Sequence, residues 1–366
     1  MFTIKEAKTA REKEAANRLR YEVYTHDQGY HIQDEQVVQD EHADREAKII
    51  IALNETDEIV GTMHVFLGDQ TTFTTHQRDL YDLTMFEPVI TPEHFVIFES
   101  FAFRADYRNT FGANQLFMYS TQLALQHDAE LIFLVAPPYL LELYQTLGSR
   151  SYTFAYDHNW TGIVIPQVYV ISDLDYLRKI RSKVLRFETD YTVNPAVAKR
   201  VRPLLKEPYE IAHDTLSQRI EKWIQLYSLN TIAGHVGISI FEGLSETDLQ
   251  IVLRRSIIIF CRQGDRITVQ GTQEKTVYVV LSGTAVQTND NHSMSFIAGD
   301  VIGEIGFLTT GIRATTIVTT SPQLDLLTIS DRTLRKLVNR HPHIASQIMY
   351  NLARILGHKL AKQFQP

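Results

Sequence analysis

Two charged residues near the C-terminal end of the chain have types and a spacing suited to binding a phosphate ester. Glu304 and Arg313 lie nine positions apart in a glycine-rich stretch. A guanidinium can hold a phosphate through two parallel hydrogen bonds, whereas a carboxylate repels phosphate and accepts hydrogen bonds from sugar hydroxyls. Gly303 and Gly306 allow the backbone to come close to a ligand, and a short helix beginning there would direct free N–H groups at an anion.

The elements around this pair have a strand-rich pattern. From Ile257 to Ser330 the chain consists of short apolar runs separated by glycine turns, and after Ser330 the pattern becomes helical. Short strands at such spacing are typical of a small barrel or jelly roll. The sequence therefore predicts a C-terminal β jelly-roll barrel with terminal helices.

The first part of the chain alternates between strand and helix patterns. Strands are predicted at residues 48–53, 58–67, 95–103 and 131–135, and helices at residues 111–127 and 139–147. We therefore expect an α+β protein with an N-terminal mixed sheet and flanking helices. We expect an N-terminal domain over residues 1–180, a helical connector over residues 181–235 and a C-terminal domain over residues 236–366.

The C-terminal pattern resembles the cyclic nucleotide-binding domains of the cAMP receptor protein and protein kinase A regulatory subunit family. The resemblance covers about residues 238–362 and includes Phe241 to Ser245 and Tyr278 to Gly283. It implies that Glu304 accepts from the ribose 2′-hydroxyl and that Arg313 holds the cyclic phosphate. The implied cyclic nucleotide site comprises Ile302, Gly303, Glu304, Ile305, Gly306, Arg313, Ala314 and Thr315.

The residue after the arginine bears on the choice of nucleotide. Family members that prefer cGMP carry a hydroxyl residue there, and this chain has Ala314, which favours cAMP, although Thr315 follows it. The alternative is a domain that keeps the fold without the ligand. In bacterial regulators of this family a helix-turn-helix follows the last helix, and we expect no such element here, so the output is expected to be N-terminal.

The N-terminal region resembles the GNAT acyltransferases. Phe98 to Arg104 and Tyr107 to Ala113 have the layout of a strand, a turn and a helix start, and Leu143 to Gly148 resembles a later helix. Residues 19–24, 29–30, 40–44 and 60–62 resemble the autoinducer synthases and N-acyl amino acid synthases. The resemblance covers residues 1–170 and implies acyl transfer from acyl-CoA or an acyl carrier protein to an amine. The implied donor site comprises Phe101, Ala102, Phe103, Arg108, Gly112 and Ala113.

This resemblance also gives roles to candidate catalytic residues. Glu99 is expected to take the proton of the amine, because a carboxylate in an apolar strand has a raised pKa. Tyr144 is expected to protonate the departing thiolate. The alternatives are an ion pair of Glu99 with Arg20 or Arg104 and a core position for Tyr144.

Two positions depart from the acyltransferase pattern. Phe111 occupies the first glycine place after Arg108, and His64 stands where an arginine is common. His64 is expected to be a strand residue with satisfied hydrogen bonds. A carrier-protein arm or an unusual acyl donor is compatible with these departures.

Charge and composition narrow the partners. The net charge is −7, and Cys261 is the only cysteine. The acidic balance lies in residues 1–235, which disfavours nucleic acid as a partner. No disulfide, transmembrane segment or histidine spacing of a metal site is evident, so we expect a cytoplasmic protein without a metal. The sequence leaves a homo-oligomer open.

Together these features predict an N-acyltransferase regulated by cAMP. Two alternatives remain. One is a non-catalytic cAMP sensor whose front domain only binds an acyl group or a protein. The other is a cAMP-regulated protein lysine acetyltransferase.

Overall fold

The computed structural model describes residues 2–30, 45–108, 111–158, 161–187, 194–205, 239–288, 294–309 and 311–363. Its chain divides into two units. The first contains Met1–Ala136, Leu143–Thr153 and Pro166–Lys206, and the second contains Pro137–Glu142, Phe154–Ile165 and Glu207–Pro366. Most of the connector expected over residues 181–235 lies outside the described residues.

A mixed sheet forms the N-terminal part, as the sequence predicts. Its strands are β1 (Thr3–Glu6), β2 (Lys48–Leu53), β3 (Ile59–Leu67), β4 (Phe95–Phe103), β5 (Leu131–Ala136), β6 (Arg150–Ser151), β7 (Tyr156–His158) and β8 (Gly162–Val170). Their order is β1-β2-β3-β4-β5-β8-β6, and β7 pairs with β8. Neighbours from β1 to β4 are antiparallel, whereas β4 and β5 are parallel. Nearly every residue of β2, β3 and β8 is buried, which explains their continuous apolar runs.

Short helices flank this sheet. They are α1 (Ala10–Glu22), α2 (Thr75–Leu80), α3 (Gly112–Gln126), α4 (Leu141–Leu147), α5 (Leu174–Lys179) and α6 (Pro195–Val201). A π-helix at Val23–Asp27 continues α1, and 3-10 turns lie at Leu83–Met85, Pro92–His94, Ala105–Tyr107, Pro138–Leu140 and Lys183–Phe187. The helix α1 begins at a capping box, in which Thr9 and Glu12 satisfy each other's backbone N–H groups.

The C-terminal part contains two four-stranded antiparallel sheets. The strands are β9 (Ile257–Arg262), β10 (Arg266–Thr268), β11 (Thr276–Ser282), β12 (Ala285–Thr288), β13 (Met294–Phe296), β14 (Val301–Ile302), β15 (Thr316–Thr319) and β16 (Gln323–Ser330). The sheet orders are β10-β15-β12-β13 and β14-β11-β16-β9. This alternation of strands between two sheets is typical of a jelly roll and confirms the predicted fold class.

Four helices accompany these sheets: α7 (Glu246–Leu253), α8 (Glu304–Leu308), α9 (Asp331–Arg340) and α10 (Pro342–Gln363). The core joins apolar residues of α7, β11 and β16 to Leu337 of α9 and Ile344 and Ile348 of α10. The buried Asn351 amide of α10 donates to the carbonyls of Ile240 and Glu242. Among the described residues, no helix combines the length and the apolarity that a bilayer crossing requires.

A buried ion pair holds the segment after β8. The fully buried Asp173 accepts hydrogen bonds from Arg202 at 2.5 Å, and Arg150 lies 2.8 Å from its second oxygen. Its side chain also caps α5 by accepting from the Tyr176 N–H. Burial alone would raise the pKa of Asp173, but the hydrogen bonds and charges of Arg202 and Arg150 hold it below its usual value. The carboxylate therefore stabilises the fold in its charged form.

We predict that Asp173→Asn lowers the free energy of unfolding of the first unit by about 3 kcal/mol near neutral pH, because Arg150 is left buried without a countercharge. Since the pKa of Asp173 is depressed by folding, this difference should be full above pH 4 and shrink as the pH falls further. Urea unfolding of both proteins at several pH values measures it. The exposed neighbour gives the control, and Asp175→Asn should cost less than about 0.5 kcal/mol. Equal losses in the two variants would contradict the prediction.

Candidate functional site

The glycine-rich stretch folds as a strand, a tight turn and a short helix. Gly303 follows β14 with a φ of 88° and is the N-cap of α8, so the predicted helix start is confirmed. A Cβ atom on Gly303 would lie 2.0 Å from the Nη1 atom of Arg313. Only glycine therefore allows the guanidinium to reach the Gly303 carbonyl, to which Nη1 donates at 3.2 Å.

Arg313 is buried, with 2% of its surface exposed, and its charge is balanced within the chain. Its Nη2 atom lies 2.9 Å from a carboxylate oxygen of Glu274. The Tyr278 hydroxyl donates to the other oxygen at 2.5 Å, and the guanidinium carbon lies 5.4 Å from the centre of the Tyr278 ring. The predicted phosphate-binding cation is thus preorganised by a carboxylate and a phenol.

Glu304 is the second buried charge of this stretch, with 4% of its surface exposed. The Lys359 ammonium of α10 donates to the Glu304 carboxylate at 2.8 Å and to the Val301 carbonyl at 2.8 Å. It also lies 5.3 Å from the centre of the Phe296 ring. The carboxylate predicted to accept a sugar hydroxyl is therefore held by a lysine from the last helix.

The other residues predicted around this pair differ in exposure. Ile302 is buried in β14, whereas Ile305 is 42% exposed and Ala314 is exposed. A Cβ atom on Gly306 would lie 2.8 Å from a backbone carbonyl oxygen of the returning loop. The Thr315 carbonyl accepts a hydrogen bond from a strand threonine. Glycine at 306 therefore permits close backbone packing, and Ile305 and Ala314 present apolar groups beside the two charges.

In the N-terminal unit, β4 pairs with β3 along its length and loses its second partner, β5, at Glu99. Its pairing with β5 runs from Phe95 to Phe98, and further along β4 the described pairing is with β3. Glu99 lies opposite His64, and the next paired residue on β3 is Thr62, so β4 contains an extra residue. Ser100 absorbs it with a φ of 54°, a left-handed value uncommon for serine. The bulge directs Glu99 to the point where β4 and β5 separate.

The predicted donor-binding residues follow this bulge. Phe101 stacks on Phe103 with ring centres 6.4 Å apart. Arg108 donates to the Phe103 carbonyl at 2.8 Å and forms an ion pair with Asp27 at 2.8 Å. A Cβ atom on Gly112 would lie 2.8 Å from the Phe103 ring. Arg108 therefore fastens the turn, and Gly112 allows α3 to start against the strand.

Three further residues complete this turn. Ala102 is buried, Ala113 is half-buried in the first turn of α3, and Phe111 just before the helix is 80% exposed. Phe111 therefore offers an apolar ring at the position where the family pattern has glycine. Residues 40–44, which carry part of the resemblance to the autoinducer synthases, lie outside the described residues.

Two side chains that the sequence did not identify lie beside Glu99. The Gln77 amide donates to the Glu99 carboxylate at 3.4 Å. The Tyr81 hydroxyl is fully buried, and burial followed by the charge of Glu99 raises its pKa well above the usual value. The spacing Thr74 to Gln77 is a capping-box signal that predicts α2, but it does not reveal this contact.

Tyr144, the predicted acid, is 8% exposed on α4, and its ring centre is 6.2 Å from that of Phe117. It interacts electrostatically with Tyr81, as Glu99 does. Arg104, an expected alternative partner of Glu99, forms ion pairs with Glu58 and Asp106 instead. The structure therefore groups Glu99, Tyr81 and Tyr144 in one region of the unit.

A buried network surrounds His64 of β3. The Arg20 guanidinium contacts the His64 ring and the Asn17 side chain. Burial, followed by the charge of Arg20, lowers the pKa of His64 well below its usual value. His64 is therefore neutral at physiological pH, in agreement with a structural role. In the described part of the chain, no group of three or more His, Cys, Asp or Glu side chains is placed to hold a metal ion.

Two family models match separate parts of the chain. The model described as N-acyl amino acid synthase FeeM matches residues 15–156, and the model described as cyclic nucleotide-binding domain matches residues 258–341. A search of curated proteins gives no match. Both resemblances expected from the sequence are confirmed by these two models.

Three solved structures are each similar to a part of the chain. FeeM, an N-acyl amino acid synthase from uncultured soil microbes, is 15% identical, with a TM-score of 0.41 over 51% of this chain and 98% of that one. The catabolite activator protein of Thermus thermophilus is 24% identical, with a TM-score of 0.30 over 34% of this chain. The chain spans 59% of the length of that activator. Escherichia coli ElaA is 17% identical, with a TM-score of 0.35 over 46% of this chain and 99% of that one.

The environment of His64 predicts a pH dependence of stability. At pH values below 6.5 the unfolded chain protonates this histidine, whereas the folded chain does not. The free energy of unfolding therefore decreases as the pH is lowered. Between pH 7 and 5.5, the unfolding free energy of the wild type should fall by about 1 kcal/mol more than that of His64→Gln. Chemical denaturation across this range measures the difference, and the exposed His76→Gln should follow the wild type. Parallel curves for the wild type and His64→Gln would mean that His64 takes up a proton in the folded state.

Proposed function

We propose that this chain, which combines an acyltransferase domain with a cyclic nucleotide-binding domain, is an N-acyltransferase regulated by cAMP. Its donor is a fatty acyl thioester of coenzyme A or of an acyl carrier protein, and its acceptor is the amine of an amino acid. The observation that carries the proposal is the pair of buried charges at Glu304 and Arg313, each balanced by a side chain that a ligand can replace.

The acyl transfer step requires the protein to accept one proton and to donate another. The amine nitrogen attacks the thioester carbonyl, the C–N bond forms, and the C–S bond breaks. Glu99 takes the proton that leaves the amine, and Tyr144 gives a proton to the departing thiolate. The bulge at Ser100 supports this assignment, because it places Glu99 where β4 and β5 separate and leaves strand backbone beside it.

The family match supports the choice of acceptor, and aromatic residues that follow Glu99 support the choice of donor. The model match at residues 15–156 is to N-acyl amino acid synthases, which favours an amino acid as the acceptor. The half-buried Phe101 supplies an apolar surface for an acyl chain, and the exposed Phe111 adds a second ring. These rings favour a fatty acyl donor over an acetyl donor.

The nucleotide is proposed to bind by exchange of partners. Its cyclic phosphate replaces the Glu274 carboxylate on Arg313, so the cation keeps an anionic partner. Its ribose hydroxyl donates to Glu304 in place of Lys359. Ala314 leaves no hydroxyl directly after the arginine, which favours adenine over guanine.

Regulation follows from where the displaced partners lie. Lys359 belongs to α10, so a ligand that displaces it from Glu304 removes a hydrogen bond that holds this helix. A ligand shifts such an equilibrium by its difference in affinity for the two arrangements. Nucleotide binding is therefore coupled to the release of α10, and the acyltransferase activity responds to that release.

We expect calorimetry to show cAMP binding to the full chain, with cGMP binding more weakly. Arg313→Ala should abolish detectable binding, because the phosphate loses its cation. Glu304→Gln should weaken binding about tenfold or more, the effect of losing a hydrogen bond to a charged group. Glu274→Gln should strengthen binding, because it removes the anion that competes with the phosphate.

An exposed arginine of α9, Arg332, provides the control for this experiment. Arg332→Ala removes the same charge from the surface and should bind cAMP like the wild type. Circular dichroism confirms that each variant is folded. Undiminished cAMP binding by Arg313→Ala would overturn the assignment of the nucleotide site.

We expect the purified chain to transfer a fatty acyl group to an amino acid, with a rate that changes on addition of cAMP in the wild type but not in Arg313→Ala. Glu99→Gln should lower the rate about 10²- to 10⁴-fold, the usual contribution of a general base. Mass spectrometry of the acylated amine measures the product, with acyl-CoA and acyl carrier protein donors of several chain lengths.

The control is Glu93→Gln, which alters an exposed carboxylate just before β4 and should retain full activity. Transfer from acetyl-CoA without transfer from long-chain donors would contradict the fatty acyl donor. A rate unaffected by Glu99→Gln would contradict the role of Glu99, and a rate unaffected by cAMP would contradict regulation.

A further inference from the structure

The chain between β3 and β4 brings the Gln77 amide and the Tyr81 phenol near Glu99. This segment contains α2, and Tyr81 directly follows that helix. Gln77 is 5% exposed and Tyr81 is fully buried, so their side chains are fixed by the surrounding protein. The geometry of each donor bears on how the carboxylate is held.

The orientation of Gln77 is set by the start of α2. Its amide oxygen accepts from the Thr74 N–H at 3.1 Å, while the Thr74 hydroxyl accepts from the Gln77 N–H at 3.1 Å. Because this capping box engages the amide oxygen, the amide nitrogen is the atom that faces Glu99, at 3.4 Å. Gln77 can therefore only donate to the carboxylate.

The position of Tyr81 is fixed by its backbone. Its N–H donates to the Gln77 carbonyl at 3.0 Å, and its carbonyl accepts from the buried Tyr152 hydroxyl at 2.5 Å. The ring packs with its centre 6.3 Å from that of Phe133. Its hydroxyl is under the influence of the Glu99 charge, and within the described residues it makes no hydrogen bond. The raised pKa keeps this hydroxyl protonated, so it is available as a donor.

We infer that Gln77 and Tyr81 are positioning residues for the general base, holding the Glu99 carboxylate charged and oriented at the β4 bulge. The inference rests on the proposed role of Glu99 in acyl transfer. Neither residue touches substrate in this scheme, and both act through Glu99. Donors to the charged form of a carboxylate lower its pKa, so their removal must raise the pKa of Glu99.

The test is the pH dependence of kcat/KM for acyl transfer by the full chain. Activity requires the charged carboxylate, so the acidic limb should move to higher pH in Tyr81→Phe. We expect a shift of about half to one pH unit, equivalent to the loss of one ordinary hydrogen bond. Tyr119→Phe, which alters an exposed tyrosine on α3, should leave the limb in place.

A second variant separates positioning from folding. Gln77→Glu preserves the capping box, since glutamate is equally suited to that place, but sets a second carboxylate beside Glu99. The like charge should move the acidic limb upward by more than Tyr81→Phe does. A merely structural role would lower the rate at all pH values without moving the limb.

The carbon-13 NMR titration of the Glu99 carboxyl, assigned with Glu99→Gln, measures the same shifts without turnover. Raised values in both variants would support the inference, and unchanged values would overturn it. An unmoved limb in a protein whose activity depends on Glu99 would refute the positioning role alone. Full activity of Glu99→Gln would instead refute the proposed base.

Discussion

A charge buried in this protein needs a partner beside it, either an opposite charge or a hydrogen-bonding group. Asp173 with Arg150, Arg313 with Glu274, and Glu304 with Lys359 all follow this rule. Removing one partner leaves an uncompensated charge inside the protein, which costs more than the pair contributes. A ligand that enters such a site must therefore bring the charge or hydrogen bond that it displaces. This constraint explains why a phosphate ester with a free hydroxyl is a suitable ligand for the glycine-rich stretch.

Both candidate sites depend on one residue in a left-handed backbone conformation. Gly303 adopts a left-handed conformation so that a guanidinium can approach its carbonyl, and Ser100 adopts one so that β4 can absorb an extra residue. Glycine does this without strain, whereas serine requires support from the strands on either side. Glu304 and Arg313 are nearly fully buried, while Glu99 stays partly exposed, which suits its proposed role as a base that reaches a substrate.

Elements that depend on local pattern were predictable from the sequence. The apolar runs gave β2 to β5 within a residue or two, and the glycines around Glu304 gave the helix start. The partners of the site residues were not predictable, because they come from distant segments. Glu274 lies 39 positions from Arg313, and Lys359 lies 55 positions from Glu304. Strand register and helix packing set these contacts. Neither can be inferred from the spacing of residues in a single sequence. For the same reason Tyr81 was missed.

Lys359 is tethered to the carboxylate that it neutralises. In the proposed exchange a nucleotide competes with an intramolecular cation, whose effective concentration does not change when the protein is diluted. The apparent dissociation constant then equals the intrinsic constant divided by the fraction of molecules in which Lys359 of α10 is separated from Glu304. A weak apparent affinity in this chain would thus measure how firmly that helix holds, and not how poorly the cradle fits its ligand.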